Sequence, residues 1–185
     1  MARPPLARTK VLDAFEALLI DEGERAATLD ATAQAAGVSK GGLLYHFASK
    51  EELITGLIDR LDELAADDLE QMLSAPGGPV DFYIRTSVLS GSAFDRGLIA
   101  AGRLAQSGHA SASDALRRIR QSWADGIRPH VRDDTAMELV LLIGDGLYYN
   151  NVLDAAVGSG SGLAGPMPTG AQLDALIALT LKAAS

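Results

Sequence analysis

The sequence predicts an all-α protein in two helical units joined by a long helix. Three observations lead there. Apolar residues recur at three- and four-residue spacing in nearly every segment. No stretch alternates in the manner of a β-strand. Glycine, proline and capping residues punctuate the chain at the intervals expected of helix ends.

The elements follow in order. Over 8–22, Val11, Phe15, Leu18 and Leu19 form one stripe, and Gly23 stops the helix. Thr28 is placed to cap a short alanine-rich helix that ends at Gly37, and Ser39 to cap another through Phe47. Ser49-Lys-Glu-Glu52 fits a capping box. It opens a long helix with Leu53, Leu57, Leu61, Leu64 and Met72 on one side and acids on the other. Ser74-Ala-Pro-Gly-Gly-Pro79 breaks the chain. Helices are expected over about 80–91, 95–107 and 111–128, with Pro129 closing the last. Asp133 or Asp134 then caps an apolar helix to about residue 157, and 158–169 is a Gly/Ser/Pro-rich loop. Thr169-Gly-Ala-Gln172 matches a second capping box, opening a last helix with Leu173, Leu176, Ile177 and Leu181 inward.

Composition narrows the function. The chain has 185 residues, 48% of them hydrophobic, so it can bury a sizeable core. It has no cysteine, which excludes disulfides and thiolate metal sites. The first residues lack the apolar run of a signal peptide. The most apolar stretch, 139–149, is broken by Asp145 and falls short of the roughly 20 residues of a membrane span. A soluble cytoplasmic protein is expected. The net charge of −8 is unevenly spread. Residues 1–12 hold Arg3, Arg8 and Lys10 and no acid, residues 1–60 carry about −2, and the remainder about −6. Charges farther apart than about 10 Å are screened in salt. A locally basic face is therefore compatible with an acidic whole.

Residues 28–53 read TLDATAQAAGVSKGGLLYHFASKEEL. Ala33 and Ala36 are small enough for a second helix to approach. Gly37 sits where a tight turn requires positive φ, and Val38 and Leu43 are spaced to fill the gap between the helices. A short helix pair about a glycine turn is the helix-turn-helix pattern, whose second helix fits a DNA major groove about 12 Å wide.

Ala-Gly-Val-Ser-Lys-Gly, followed by Tyr-His-Phe and Ser-Lys-Glu-Glu-Leu, resembles the N-terminal domain of TetR-family regulators over roughly residues 8–55. The resemblance implies an N-terminal three-helix helix-turn-helix DNA-binding domain at 1–50, which includes the start of the connecting helix. A helical ligand-binding and dimerisation domain would occupy 51–185. It implies that Thr28 caps the first motif helix and touches phosphate, and that Ser39, Lys40, Gly41 and Gly42 open the recognition helix. Tyr45 and His46 would face the DNA backbone, and Lys50, at a helix N-terminus, would pair with a phosphate. Two departures stand out. Thr32 replaces a usual branched aliphatic, which implies looser packing. Gly42 and Leu44 replace a small hydroxyl residue and an aromatic, which shifts specificity towards backbone approach, Lys40 and DNA shape.

Six of the nine aromatic residues, Phe82, Tyr83, Phe94, Trp123, Tyr148 and Tyr149, lie beyond position 75. They either fill a core or line an apolar cavity for a small-molecule effector. Phe82, Phe94, Trp123, Asp145, Tyr148 and Tyr149 are the candidate ligand-binding residues. Asp145, Asn150 and Asn151 are the polar handles, with Arg96 or Arg103 as alternatives. Asp145, in an apolar surround, needs a donor or a ligand cation. The helix beginning at Asp134, with Leu139, Leu142, Ile143 and Leu147, and the last helix, with Leu173, Ile177 and Leu181, offer apolar faces for a homodimeric four-helix bundle.

No metal, cofactor or catalytic residue is expected. His46, His109 and His130 have no metal-ligand spacing. Gly160-Ser-Gly-Leu-Ala-Gly165 matches a dinucleotide fingerprint literally, but a helix precedes it and prolines follow, so it reads as a loop. Two rivals remain: a helical enzyme using Asp145 with His109 or His130, and a binding module without DNA recognition. The favoured expectation is a repressor that binds a palindromic operator as a dimer and is released by an effector.

Overall fold

The computed structural model describes residues 5–89, 91–157 and 167–185. Among them are nine α-helices and no strand: α1 Pro5–Asp21, α2 Leu29–Ala35, α3 Lys40–His46, α4 Lys50–Ser74, α5 Gly78–Thr86, α6 Ala93–Gln106, α7 Ala110–Ile127, α8 Asp134–Val157 and α9 Ala171–Ala184. The protein is all-α, as its periodicity predicts. The glycine-rich 160–165 stretch lies outside the described residues.

Several ends are set by local chemistry. α1 begins at Pro5, earlier than the expected residue 8, because proline is tolerated in a first turn where no amide donor is needed. Pro79 likewise lies in the first turn of α5, so that helix starts at Gly78 rather than near 80. Asp133 accepts from the Ala136 amide at 2.8 Å and caps α8. Pro129 does not simply end α7; a 3-10 turn, Arg128–His130, follows it. The expected box at Thr169 does not form. Gly170 is the N-cap of α9, with φ 51° and no side-chain cap bond.

The chain divides into two compact units, Met1–Ala65 with Ala93–Ile119, and Ala66–Ser92 with Arg120–Ser185. The first holds α1, α2, α3, α6 and parts of α4 and α7. Its core is Val11, Leu12, Phe15 and Leu19 of α1 against Leu43, Phe47, Leu53, Leu57, Ala100 and Leu104. Gly97 belongs to this interior, since a Cβ there would meet Leu61 Cδ1 at 3.0 Å. The second unit buries Met72, Val80, Tyr83, Ile84, Ile127, Val140, Leu141, Leu173 and Ile177.

A candidate nucleic-acid interface and the acidic–aromatic cluster

The helix-turn-helix is built from caps and one glycine. Thr28, in extended backbone, accepts from the Ala31 amide at 3.1 Å and starts α2. At the other end, Gly37 takes φ 67°. This lets the Val38 amide reach the Ala33 carbonyl at 3.0 Å and the Gly37 amide reach Gln34 at 3.1 Å, the paired bonds of a Schellman stop. Ser39 accepts from the Gly42 amide at 3.1 Å and starts α3. Leu43 is fully buried and Phe47 nearly so, which pins one side of α3 to the core. Arg8 covers the Phe47 ring at 5.2 Å.

Thr32 is buried without loss, because its hydroxyl donates to the Thr28 carbonyl at 2.7 Å. The hydroxyl that stands in for an aliphatic group is satisfied inside its own helix.

The side of α3 away from the core presents Ser39, Lys40, Gly41, Gly42, Leu44 and Tyr45 to solvent. Tyr45 is 82% exposed, and its ring meets the half-buried His46 edge-on at 5.2 Å. Lys40 bonds Asp30 of α2 at 2.9 Å, both partners well exposed. Such surface pairs contribute little and exchange readily for another anion.

At the start of α4, Ser49 accepts from the Glu52 amide at 3.2 Å, and Glu52 returns a bond to the Ala48 amide at 2.7 Å. Lys50 is half-buried. It donates to the Glu24 carboxylate at 2.6 Å and to the Glu24 carbonyl at 2.8 Å. The hydrogen bond from Lys50 holds the Glu24 carboxyl below its ordinary range. His109, in the turn between α6 and α7, approaches the same carboxylate at 3.8 Å. The sequence does not single out Asp30 or Glu24, and it weighs His109 only as a partner of Asp145 or a metal ligand, not of Glu24. Their separations from their partners, 10 residues for Asp30 and 26 for Glu24, match no local motif.

In the second unit, Tyr83 of α5 donates to Asp145 of α8 at 2.9 Å. Arg120 of α7 bonds the other Asp145 oxygen at 3.1 and 3.2 Å and lies 3.5 Å from Glu138. Trp123 tilts against the Tyr83 ring at 5.5 Å and donates to Asp68 at 2.9 Å. Burial, reinforced by the Asp145 charge, pushes the Tyr83 hydroxyl far above its ordinary value. Gly144 completes the cluster, since a Cβ there would lie 2.3 Å from Tyr83 Cε1.

Asp145 thus finds its donors in Tyr83 and Arg120, and its side chain is 40% exposed. Trp123 and Asp145 belong to this cluster. Phe82 is half-buried against the same core. Phe94 belongs to the first unit, and Tyr149 is exposed on α8. Tyr148 is half-buried on α8, and Asn151 donates to the Leu89 carbonyl at 2.7 Å. An open groove on the last turns of α4, lined by Ala66, Leu69, Glu70, Leu73 and Ser74, holds none of the predicted ligand residues. Among the described residues no three His, Asp or Glu side chains gather into a metal-holding group.

Residues 11–57 match the family described as bacterial regulatory proteins, tetR family. No curated protein sequence matches the chain. Among solved structures, Salmonella enterica GusR superposes with a TM-score of 0.68 at 17% identity, covering 98% of this chain and 97% of that one. A transcriptional regulator from Rhodococcus sp. Rha1 gives 0.66 at 20%, covering 96% and 97%. The ketosteroid transcriptional regulator KstR2 of Mycobacterium tuberculosis gives 0.53 at 23%, covering 99% and 97%. Identities this low establish a shared fold over the whole length.

Proposed function

We propose, from the match of residues 11–57 to the tetR family of bacterial regulatory proteins, that this chain is a dimeric, effector-released repressor of a palindromic operator. One observation carries the DNA-binding part. α3 is anchored by Leu43 and Phe47 on one side and leaves Lys40, Gly41, Leu44 and Tyr45 bare on the other, in a helix-turn-helix with intact caps. That bare side enters the major groove, while Thr28, Tyr45, His46 and Lys50 serve phosphates. Lys40 and Lys50 exchange Asp30 and Glu24 for phosphate oxygens.

The functional division is 1–50 for DNA and 51–185 for sensing and dimerisation. Leu139, Leu142 and Tyr149 of α8 and Leu179 and Leu181 of α9 are large apolar side chains exposed to solvent. A two-fold mate covers them in the dimer and sets two α3 helices about 34–36 Å apart, one turn of DNA. Leu173 and Ile177, which the sequence places on the pairing face, are core residues of their own subunit. The proposed dimer face of α9 therefore centres on Leu179 rather than on Leu173 and Ile177. The effector binds beside the Tyr83–Trp123–Asp145 cluster and favours another arrangement of α5, α7 and α8. α4 and α7 each contribute residues to both units, which gives that change a covalent route to the DNA-binding part. The effector shifts DNA affinity only by its differential affinity for the two arrangements. No catalytic step is needed, and the proposed site of action is the cytoplasm.

The test is selection from a random-sequence duplex pool by the full chain, with the mass of the complex measured in solution. An enriched inverted repeat bound by two chains is the expected result. Recovery of no common sequence would remove the regulator reading.

A further inference from the structure

Helix α3 carries two features that the interior of the protein does not require. The first is Gly41. It is helical, its φ is not positive, and a Cβ built on it would meet no heavy atom within 4 Å. Glycine within a helix is less stable than alanine, because it surrenders more backbone freedom. Neither backbone conformation nor packing calls for it here. Gly42 differs, since its Cβ would press on the Ser39 hydroxyl at 3.2 Å, the cap of the helix. The second feature is Leu44, a large apolar side chain 38% exposed beside Tyr45 and one turn on from Lys40. Leu43 and Phe47 already supply the helix with its core contacts.

A bare backbone and an apolar side chain on one outward face fit a surface that comes very close and offers a small apolar knob. Within a DNA major groove that knob is the C5-methyl of a pyrimidine; the other base-edge groups there are polar. We propose that Leu44, brought to the groove floor by the bare backbone at Gly41, determines specificity by reading a pyrimidine C5-methyl, supplied by thymine. The inference rests on the DNA-binding reading above and adds to it the chemical feature that is read.

The experiment uses the full chain and the duplexes it selects from a random pool, with each half-site thymine replaced in turn by uracil. Uracil keeps every hydrogen-bonding group and lacks only the methyl. At one thymine per half-site, affinity falls about fourfold, the effect of withdrawing one methyl from an apolar contact. Leu44→Ala abolishes the difference between thymine and uracil at that position alone, and Leu44→Met retains it. Gly41→Ala melts at the same or a higher temperature and yet binds about tenfold more weakly, as when one base-edge contact is lost. A further set of duplexes carries 5-methylcytosine for cytosine. A gain there that Leu44→Ala removes would assign the same contact to methylated cytosine. Specific binding that ignores uracil and 5-methylcytosine, or a methyl effect that survives Leu44→Ala, overturns the inference and leaves the regulator reading standing. Unchanged affinity in Gly41→Ala overturns the close approach. Failure of the native chain to select any sequence overturns both readings.

Discussion

Lys50 gives two of its three donors to a single residue, Glu24, bonding its carbonyl at 2.8 Å and its carboxylate at 2.6 Å. The ammonium is therefore held at the start of α4 by a group that would compete with phosphate for it, if Lys50 has the proposed role. Lys50→Ala should weaken binding to every DNA sequence alike and lower the slope of affinity against salt by about one per half-site. Glu24→Gln keeps the carbonyl anchor and removes the competing charge, so affinity should rise for every sequence and the salt slope should steepen. Anisotropy titrations over a series of salt concentrations decide both. Unchanged affinity and slope in Lys50→Ala would end the phosphate role of that side chain.

The same pair sets an acid limit. The folded-state pKa of Glu24 is depressed by the Lys50 hydrogen bond. A depressed carboxyl adds stability that is present above its unfolded value, about 4.3, and lost as pH falls through the lower folded value. Acid titration of unfolding should thus show a smaller loss below about pH 4 in Glu24→Gln than in the native chain. Equal losses would show that the pair adds nothing to acid stability.

Glu16 joins three helices of the first unit. Its carboxylate, 6% exposed, takes Arg96 of α6 on one oxygen at 2.8 Å and Arg60 of α4 on the other. Asp13, 60% exposed, bonds the same Arg60 from the surface. Removing the buried member leaves two guanidinium groups without their shared partner. Removing the exposed one leaves water to replace it. Glu16→Ala should lower stability to urea by about 2–3 kcal/mol, and Asp13→Ala by less than about 1 kcal/mol. Equal losses would show that the burial of Glu16 confers no special weight.

These partners mark where the sequence stops being legible. Thr28, Ser39, Ser49 and Asp133 are readable as caps because the bond spans three residues or fewer, and all four form. The motif from Thr28 to Leu53 is readable for the same reason, with Gly37 at its turn taking the predicted positive φ. Thr169 shows the limit even of local pattern. Gly170 adopts φ 51° and takes the cap position, so the threonine is one residue too early. Glu16 with Arg96, and Tyr83 with Asp145, are separated by 80 and 62 residues. Nothing in a local pattern specifies such pairs, because helix packing in three dimensions brings them together. For that reason Asp145 was recognisable as needing a donor, but not which donor it takes.

Tyr83 predicts an alkaline limit. Its hydroxyl is buried against Trp123 and donates to Asp145, and its pKa is raised above the ordinary 10.0. A raised value means that stability is whole below the unfolded pKa and is lost as pH climbs from there towards the folded one. In the unfolded chain the phenol ionises near pH 10, while in the folded chain it cannot. Melting temperature should therefore fall steeply above about pH 10. Tyr83→Phe should be less stable than the native chain at neutral pH, having left Asp145 short of one donor, but should show a shallower alkaline fall. Parallel curves for the two proteins would place the alkaline transition elsewhere.

Exposure separates the two faces of the last helices. Leu142 of α8 is 60% exposed and Leu179 of α9 is 65% exposed, whereas Leu173 is almost wholly buried. A charge at an exposed site costs little in a free subunit and much in a dry interface. Leu142→Glu and Leu179→Glu should therefore keep the helical spectrum while shifting the chain from dimer to monomer in sedimentation. Leu173→Glu should unfold it, because the charge enters the core of α5, α8 and α9. DNA binding should fall with dimerisation in the first two variants, since one α3 grips only half of an inverted repeat. If either surface variant stays a dimer with native DNA affinity, that residue lies outside the pairing face, and if both do, the proposed pairing through α8 and α9 is wrong.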